Sequence, residues 1–346
     1  MTSSSFMPIV ELTRGEIVES IHFGAAAVVD SSGALLASWG NPDTVTFLRS
    51  SAKPFQALPF VERDGDLTLG FTSRELAIIC ASHSGTDEHV SVVSALQQKI
   101  GVSEADLLCG THPPYHEPTY HALLLRGEGL RPNRHNCSGK HTGMLAHAKL
   151  RGLPTADYIS MSHPIQQSIL QAFAEMCGAP PDQVEVGIDG CSAPNFAVPL
   201  RSAALAYARL CDPAALEPKR AAACRRISAA MTANPDMVAG PERFDTVLMG
   251  LASGRILAKS GAEGYQGIGI MPGALGPGTP ALGIAFKIAD GDGFGRACPC
   301  VGVEILRQLG AISAAEAAQL NAFDARPIYN WRKLEVGKMY SIYHGR

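Results

Sequence analysis

The stretch RSSAKPFQ, residues 49–56, places Ser50 three positions before Lys53. Residues three apart on a helix share a face, so the Lys53 amine could lie within hydrogen-bond reach of the Ser50 hydroxyl. A serine hydroxyl is a poor nucleophile until a base takes its proton, and lysine can be that base where burial or a nearby cation lowers its pKa. Because a residue before proline disfavours the helical conformation, Pro54 predicts a helix start near Lys53. The alternative is a surface turn, since S-x-x-K often arises by chance.

A second lysine lies in the tripeptide Lys259-Ser260-Gly261, and it is the last residue of the predicted strand RILAK. An early S-x-x-K and a late K-[ST]-G occur in this order in serine penicillin-binding proteins and β-lactamases, where the strand lysine lines the site opposite the nucleophile. The S-D-N element of that pattern is absent, so the match is partial. On its own, K-S-G is more typical of a surface turn, but the ordered pair of motifs is much less expected by chance.

Two further segments carry side chains that bind metals in other proteins. NCSGKHTG, residues 136–143, contains Cys137 and His141, and DGCSAPN, residues 189–195, contains Asp189 and Cys191. Two thiolates with a histidine or aspartate nearby could hold Zn²⁺. The alternative is a pair of buried free cysteines in tight turns, which is the common environment of cysteine. The C-x-x-C spacing that would favour a metal site is absent from these segments.

Two polar turns are less specific. Ser82 lies in ASHSG, which is either the end of a helix or a point of close backbone approach. Arg243 follows Gly240-Pro241 and could bind a substrate carboxylate, although charged residues in such turns are usually solvated.

The elements that position these residues follow from hydrophobic periodicity and cap signals. Thr72 and Glu75 form a capping box that opens the helix ELAIICAS. We predict further helices at 51–63, 87–101, 139–150, 164–177 with Ser162 as cap, 213–233, and last at 297–309. We predict two strands within 25–39, strands at 184–189, 255–259 and 281–289, and a C-terminal strand MYSIY. The remaining long segments, 110–136 and GIGIMPGALGPGTP, are predicted to be loops.

Strands near both termini with helices between them predict an α/β or α+β fold, in which a sheet built from both ends packs against a helical middle region. The 346 residues suit one large domain or two closely packed ones, and 46% hydrophobic residues suit a globular core. We predict a single domain over residues 1–346. Its sheet-containing part covers about 1–50 and 240–346, and its mainly helical part covers about 51–239.

Charge and cysteine content exclude several classes of protein. The net charge is −3 and no long basic run occurs, so neither nucleic acid nor an anionic membrane is an expected partner. The N-terminus lacks a signal-peptide pattern, and no apolar run of about 18 residues predicts a membrane span. Nine scattered cysteines indicate free thiols in a reducing compartment. We therefore expect a cytoplasmic protein.

Six motifs in register resemble the L-asparaginase II family of the rhizobial, thermolabile type. They are RSSAKPFQ, CASHSG, NCSGKHTGML, DGCSAPNFAVPL, NPDMVAGPERFDT and AKSGAEG. The resemblance runs from about residue 9 to about residue 290, and the stretch 295–346 matches less clearly.

The resemblance implies a fold related to the serine β-lactamases and glutaminases, a homodimer, and hydrolysis of L-asparagine to L-aspartate and ammonia. It implies two Ser–Lys pairs, Ser50 with Lys53 and Ser82 with Lys259. It also implies a zinc site near the substrate, which Cys137, Lys140 and Cys191 would form with His141 and Asp189 close by. The role of Lys140 rests on the resemblance alone.

The functional prediction is therefore an asparaginase acting on a small-molecule substrate through an acyl-enzyme. We expect Arg49, His141, Asp189 and Arg243 to contact the substrate. Ser50 is favoured over Ser82 as nucleophile, because local geometry fixes its lysine. Three alternatives stay open: another Ser–Lys amide hydrolase such as a glutaminase or a β-lactam or D-peptide hydrolase, an amidohydrolase in which zinc activates water, and a non-catalytic binding module.

Overall fold

The computed structural model describes residues 5–342, in which a large antiparallel sheet carries helices on its faces. The strands of the described part are β1 (Met7–Arg14), β2 (Ile17–Asp30), β3 (Leu35–Trp39), β4 (Val45–Phe47), β5 (Glu185–Ile188), β6 (Pro194–Pro199), β7 (Ile256–Gly261), β8 (Tyr265–Ile270), β9 (Leu282–Ile288), β10 (Arg326–Tyr329) and β11 (Glu335–Ser341).

The helices over the same residues are α1 (Lys53–Val61), α2 (Gly65–Thr68), α3 (Ser73–Ile79), α4 (Asp87–Ile100), α5 (Glu117–Leu125), α6 (Ser138–Leu150), α7 (Pro164–Cys177), α8 (Leu200–Cys211), α9 (Pro218–Ala233), α10 (Pro235–Val238), α11 (Phe244–Ala252), α12 (Ala297–Gln308) and α13 (Ala314–Gln319). Short 3₁₀ turns occupy Arg49–Ala52, Glu104–Asp106, Pro132–Arg134 and Pro181–Gln183.

The main sheet has the strand order β10-β11-β1-β2-β9-β8-β7, and β3 pairs with the second half of β2. Its strands come from 7–39 and 256–341, so the predicted mixed fold with a sheet built from both ends of the chain is confirmed. A second sheet, β4-β6-β5, was not predicted, and it brings the segment before α1 beside the turn at 189–193.

Several predicted elements differ from the observed ones. The expected loop 110–136 contains α5, and the expected glycine-rich loop begins with β8. Helix α13 follows the helix that was predicted to be the last, and α7 is capped by His163, not by Ser162. Strands β1, β4, β6 and β10 and helices α8 and α11 were not predicted. The final tyrosine of MYSIY lies outside the described residues.

Glycines in β8 and β9 let α8 lie close against the main sheet. A Cβ at Gly283 would lie 1.8 Å from the carbonyl oxygen of Ala204, and one at Gly267 would lie 2.1 Å from the Tyr207 ring. This close approach has a consequence for the site, because the Tyr207 hydroxyl donates a 2.7 Å hydrogen bond to the carbonyl oxygen of Ser51. The helix thereby fixes the segment that carries Ser50.

A second close approach joins α6 to α3. A Cβ at Gly139 would lie 2.1 Å from the carbonyl oxygen of Ile78, so only glycine fits there. The contact brings the start of α6, with Cys137 and Lys140, beside the segment that follows α3 and contains Ser82.

Across residues 5–342, every helix is too short or too polar to cross a lipid bilayer.

Candidate active site

The segment around Ser50 is a 3₁₀ turn that leads directly into α1, which begins at Lys53 as predicted. Arg49 has a positive φ of 52°, a left-handed conformation that costs a non-glycine residue about 1–2 kcal/mol. Its main-chain N–H donates to Asn195 Oδ1 at 3.1 Å, which holds this conformation. Ser50 is buried beside Ser51, whose hydroxyl donates to the carbonyl oxygen of Lys259 at 2.6 Å.

The structure brings the two candidate serines into contact. The Ser82 hydroxyl donates to Ser50 Oγ at 3.2 Å, and both side chains are more than nine-tenths buried. Ser82 Oγ in turn accepts a 2.9 Å hydrogen bond from the side-chain amide of Asn136. The two serines are 32 residues apart in the chain, and the start of α1 reaches the segment after α3 through Lys53, whose amine bonds the carbonyl oxygen of Ala81.

Both candidate lysines are buried, and each bonds a chain neighbour of a candidate serine: Lys53 bonds Ala81, and the Lys259 carbonyl oxygen accepts from Ser51. Lys53 Nζ donates to the carbonyl oxygen of Ala81 at 2.6 Å and lies 3.5 Å from that of Asn136. Lys259 Nζ donates to the carbonyl oxygen of Ser260 at 2.7 Å. Within the described part of the chain, these amines bond main-chain carbonyls and neither is hydrogen-bonded to a serine hydroxyl.

Burial lowers the pKa of Lys259 to about 7. The Asp245 carboxylate opposes this shift, and the positive charges of Lys53 and Arg243 reinforce it. Asp245 lies in the first turn of α11, where it accepts the Ser260 main-chain N–H at 2.7 Å. Lys259 is therefore available as a neutral base near neutral pH.

Charged side chains also lie close to the buried serines and lysines. Arg49 Nε donates to Asp189 Oδ1 at 2.7 Å. The Arg243 guanidinium lies 5.8 Å from the ring centroid of Tyr115 and lines a cavity of about 420 Å³ together with Asp245. A larger groove of about 830 Å³ lies by α1, α7 and α9, and none of the candidate site residues lines it.

The candidate metal ligands also converge. Lys140 Nζ donates to Cys191 Sγ at 2.9 Å. A hydrogen bond from the Cys137 thiol and then the Lys140 charge hold the pKa of Cys191 well below its usual value, and the pKa of Cys137 is raised by the same contact. Burial opposes the Lys140 ammonium, but the negative charge of Cys191 outweighs it and raises the pKa of Lys140.

His141 lies beside this cluster and is fully buried. Its Nδ1 is 2.7 Å from the Tyr158 hydroxyl, whereas its Nε2 is buried without a hydrogen-bond partner among the described residues. Over residues 5–342, no group of three or more His, Cys, Asp or Glu side chains is arranged to hold a metal ion. Besides the two cysteines, the cluster contains the amine of Lys140, which is not one of these four side-chain types.

The sequence analysis did not identify Asn136, Asp245 or Tyr115 as site residues. Asn136 and Asp245 stand inside segments already singled out, NCSGKHTG and GPERFD. Neither has a spacing that predicts its contact, because each reaches its partner only through the fold.

Solved structures with some similarity are glutaminases or carry the name Mglu. A probable glutaminase from Bacillus subtilis complexed with 6-diazo-5-oxo-L-norleucine is 13% identical over 83% of this chain and 84% of that chain, with a TM-score of 0.39. A Bacillus glutaminase in the presence of 4.3 M NaCl is 13% identical over 83% and 91%, also at 0.39. Mglu is 15% identical over 84% and 68%, at 0.35. These TM-scores are too low to support an argument about this chain.

Among curated proteins, none matches this chain significantly. The model of the family described as L-asparaginase II matches residues 10–341, which is nearly the whole sequence. The match confirms the resemblance seen in the six motifs and extends it through the C-terminal stretch. The chain therefore belongs to the L-asparaginase II family and is an amidohydrolase.

Proposed function

We propose that this protein hydrolyses L-asparagine to L-aspartate and ammonia through a serine nucleophile activated by lysine. The observation that carries the proposal is the contact between two buried serine hydroxyls, Ser50 and Ser82, beside the buried lysines Lys53 and Lys259. Family membership supports the reaction class.

In the proposed mechanism, Lys53 takes the proton of Ser50, and the Ser50 oxygen attacks the carbon of the side-chain amide. The carbon–nitrogen bond then breaks, and the proton lost by Ser50 returns to the leaving nitrogen by way of Ser82, giving ammonia. Lys259, with a pKa of about 7, exchanges protons with Ser82. Water hydrolyses the acyl-enzyme and restores Ser50. Main-chain N–H groups beside Ser50 or Ser82 stabilise the oxyanion.

The charges of Arg243 and Asp189 suit a substrate that is an α-amino acid. Arg243 has no ion-pair partner among the described residues, so its guanidinium is free to bind the α-carboxylate. Asp189, which Arg49 holds in place, offers an acceptor for the α-ammonium group. His141 completes the substrate-contacting residues of the proposal.

The residues at the thiol cluster fit a zinc ion. Cys137, Cys191 and Lys140 are soft or nitrogen donors, and both Lys140 and Cys137 already contact the Cys191 sulfur. A lysine ligand must lose its proton to bind. When bound, the ion would act as a Lewis acid that orients a polar group of the substrate. A homodimer and a cytoplasmic location remain predictions.

The proposal is tested by ammonia release from L-asparagine, measured for the wild type, Ser50→Ala and Ser82→Ala, with and without added zinc. We expect Ser50→Ala to lower kcat by about 10⁴-fold or more, because the loss of a nucleophile abolishes the covalent route. L-glutamine is the comparison substrate. A substrate one methylene longer should be rejected by about 10–200-fold.

Near-normal activity of Ser50→Ala would reject the nucleophile. If that variant stays active and a chelator removes the activity, the alternative in which zinc activates water is correct. Faster release from L-glutamine than from L-asparagine would reject the proposed substrate and retain the Ser–Lys chemistry.

A further inference from the structure

Asn136 joins the two serines to a network that the mechanism above does not use. Its side-chain Nδ2 donates to Ser82 Oγ at 2.9 Å, and its main-chain carbonyl oxygen lies 3.5 Å from Lys53 Nζ. One residue thus contacts a member of each Ser–Lys pair.

The position of Asn136 is fixed from several sides. Its main-chain N–H donates to His112 Nε2 at 3.0 Å, and the other ring nitrogen, Nδ1, donates to the carbonyl oxygen of Pro113 at 2.6 Å. The His112 ring stacks on Tyr115 with centroids 4.8 Å apart. On the other side, the Cys137 main-chain N–H donates to His135 Nδ1 at 3.0 Å. The main chain on both sides of the Asn136 side chain is therefore fixed beside Ser82.

The direction of the hydrogen bonds is what matters for the reaction. A hydroxyl has one proton and two acceptor lone pairs. Since the amide N–H of Asn136 occupies a lone pair of Ser82, the Ser82 proton is left to point at Ser50 Oγ. The Ser82 proton is then beside the Ser50 oxygen, which attacks the amide carbon. The leaving nitrogen is bonded to that same carbon, so the proton is also close to it.

We propose that Asn136 is a positioning residue for the reaction: its side-chain amide directs the Ser82 proton toward Ser50, and His112 holds its main chain in place. The inference rests on the proposed function for its substrate, but the alignment of the two hydroxyls can be measured separately.

The test is a double-mutant cycle between Asn136 and Ser82. Asn136→Asp keeps the shape and replaces the N–H donor by an acceptor, so the Ser82 hydroxyl would turn toward the carboxylate. Asn136→Ala removes the contact. We expect kcat for L-asparagine to fall by about 10²-fold in Asn136→Asp with KM little changed, the typical cost of a misplaced catalytic group. In the Ser82→Ala background, Asn136→Ala should cause no further loss.

A second readout does not depend on the substrate. A fluorophosphonate labels an activated serine covalently, and peptide mass spectrometry gives the rate of modification at Ser50. We expect slower labelling in both Asn136 variants. The double variant Asn136→Ala, Ser82→Ala should be labelled at the same rate as Ser82→Ala alone.

Asn133→Ala is the matched control. Asn133 is a buried asparagine in the same segment, and its side chain bonds Gln97 and Ser94 instead of a candidate catalytic serine. We expect this variant to lower the unfolding temperature and to retain the labelling rate of the wild type.

Equal slowing by Asn136→Ala with and without Ser82 would overturn the proposal, because the residue would then act through the fold. Unchanged labelling and turnover in the Asn136 variants, or a wild type that is not labelled at Ser50, would overturn it as well. A wild type that is labelled at Ser50 but hydrolyses neither L-asparagine nor L-glutamine would reject only the proposed function, and the labelling arms would still decide the role of Asn136.

Discussion

Lys259 is the residue whose ionisation most directly links the structure to pH. Its amine is buried, its pKa is lowered to about 7, and the carboxylate of Asp245 keeps that value from falling further. A lysine acts as a base only when it is neutral. The wild-type kcat/KM should therefore fall as the pH drops through about 7 and level off above it.

Replacing Asp245 with Asn removes the charge that raises the Lys259 pKa. The pKa should fall, and the acidic limb of the pH profile should move to lower pH. The measurement is kcat/KM between about pH 5 and pH 9, the range over which such a base titrates. Asp292→Asn is the control, since Asp292 is also buried but bonds the start of α12. An acidic limb at the same pH in Asp245→Asn would contradict the assignment of that limb to Lys259.

At the residue scale, the sequence predicted side chains whose chemistry is visible in a short motif. Ser50, Lys53, Cys137 and Cys191 are of this kind. It could not predict that Asn136 bonds Ser82 or that Asp245 lies beside Lys259, because an isolated asparagine or aspartate takes its role from partners far along the chain.

At the scale of elements, the close contact between α8 and the main sheet positions the Ser50 segment. Gly283→Ala would place a Cβ about 1.8 Å from the carbonyl oxygen of Ala204, so the helix must move. Overpacking of this kind costs about 1–3 kcal/mol or more. We expect a lower free energy of unfolding in urea. We also expect a lower kcat, because the displaced Tyr207 no longer holds the Ser51 carbonyl.

Gly250→Ala is the matched control for this prediction. Gly250 lies within α11, and a Cβ there meets nothing within 4 Å. Alanine is favoured over glycine inside a helix by about 1 kcal/mol, so this variant should be as stable as the wild type or more so. If Gly283→Ala proves equally harmless, the close approach of α8 does not fix the Ser50 segment.

Local sequence signals explain which elements were predicted and which were not. Helix α3 was predicted because Thr72 and Glu75 form a capping box, and both of its hydrogen bonds are present. Strand β8 was missed because its glycines weaken the strand pattern, although those glycines are what admits α8. Helix α8 begins after Pro199 without a side-chain cap, so no start signal marked it.

For the whole molecule, the thiol cluster joins regions that are distant in the chain. Cys137 and Lys140 belong to the start of α6, and Cys191 belongs to the turn between β5 and β6, in the small sheet that also contains β4. The family resemblance implied that these residues meet, but the residues alone could not show it, since the small sheet was not predicted. A metal ion held by these three residues would tie the helical region to that sheet.

Zinc binding would then stabilise the whole fold, independently of catalysis. A ligand that binds only the folded state adds about 2.7 kcal/mol when it is present at 100 times its dissociation constant. We expect the unfolding temperature of the wild type to rise with zinc and to fall after treatment with a chelator. Cys191→Ala should abolish the shift. Cys177→Ala, which removes a buried thiol of α7 outside the cluster, should keep it. A wild type whose unfolding temperature is the same with zinc and with chelator would mean that the cluster holds no metal. The Lys140–Cys191 ion pair would then be the contact that joins the two regions.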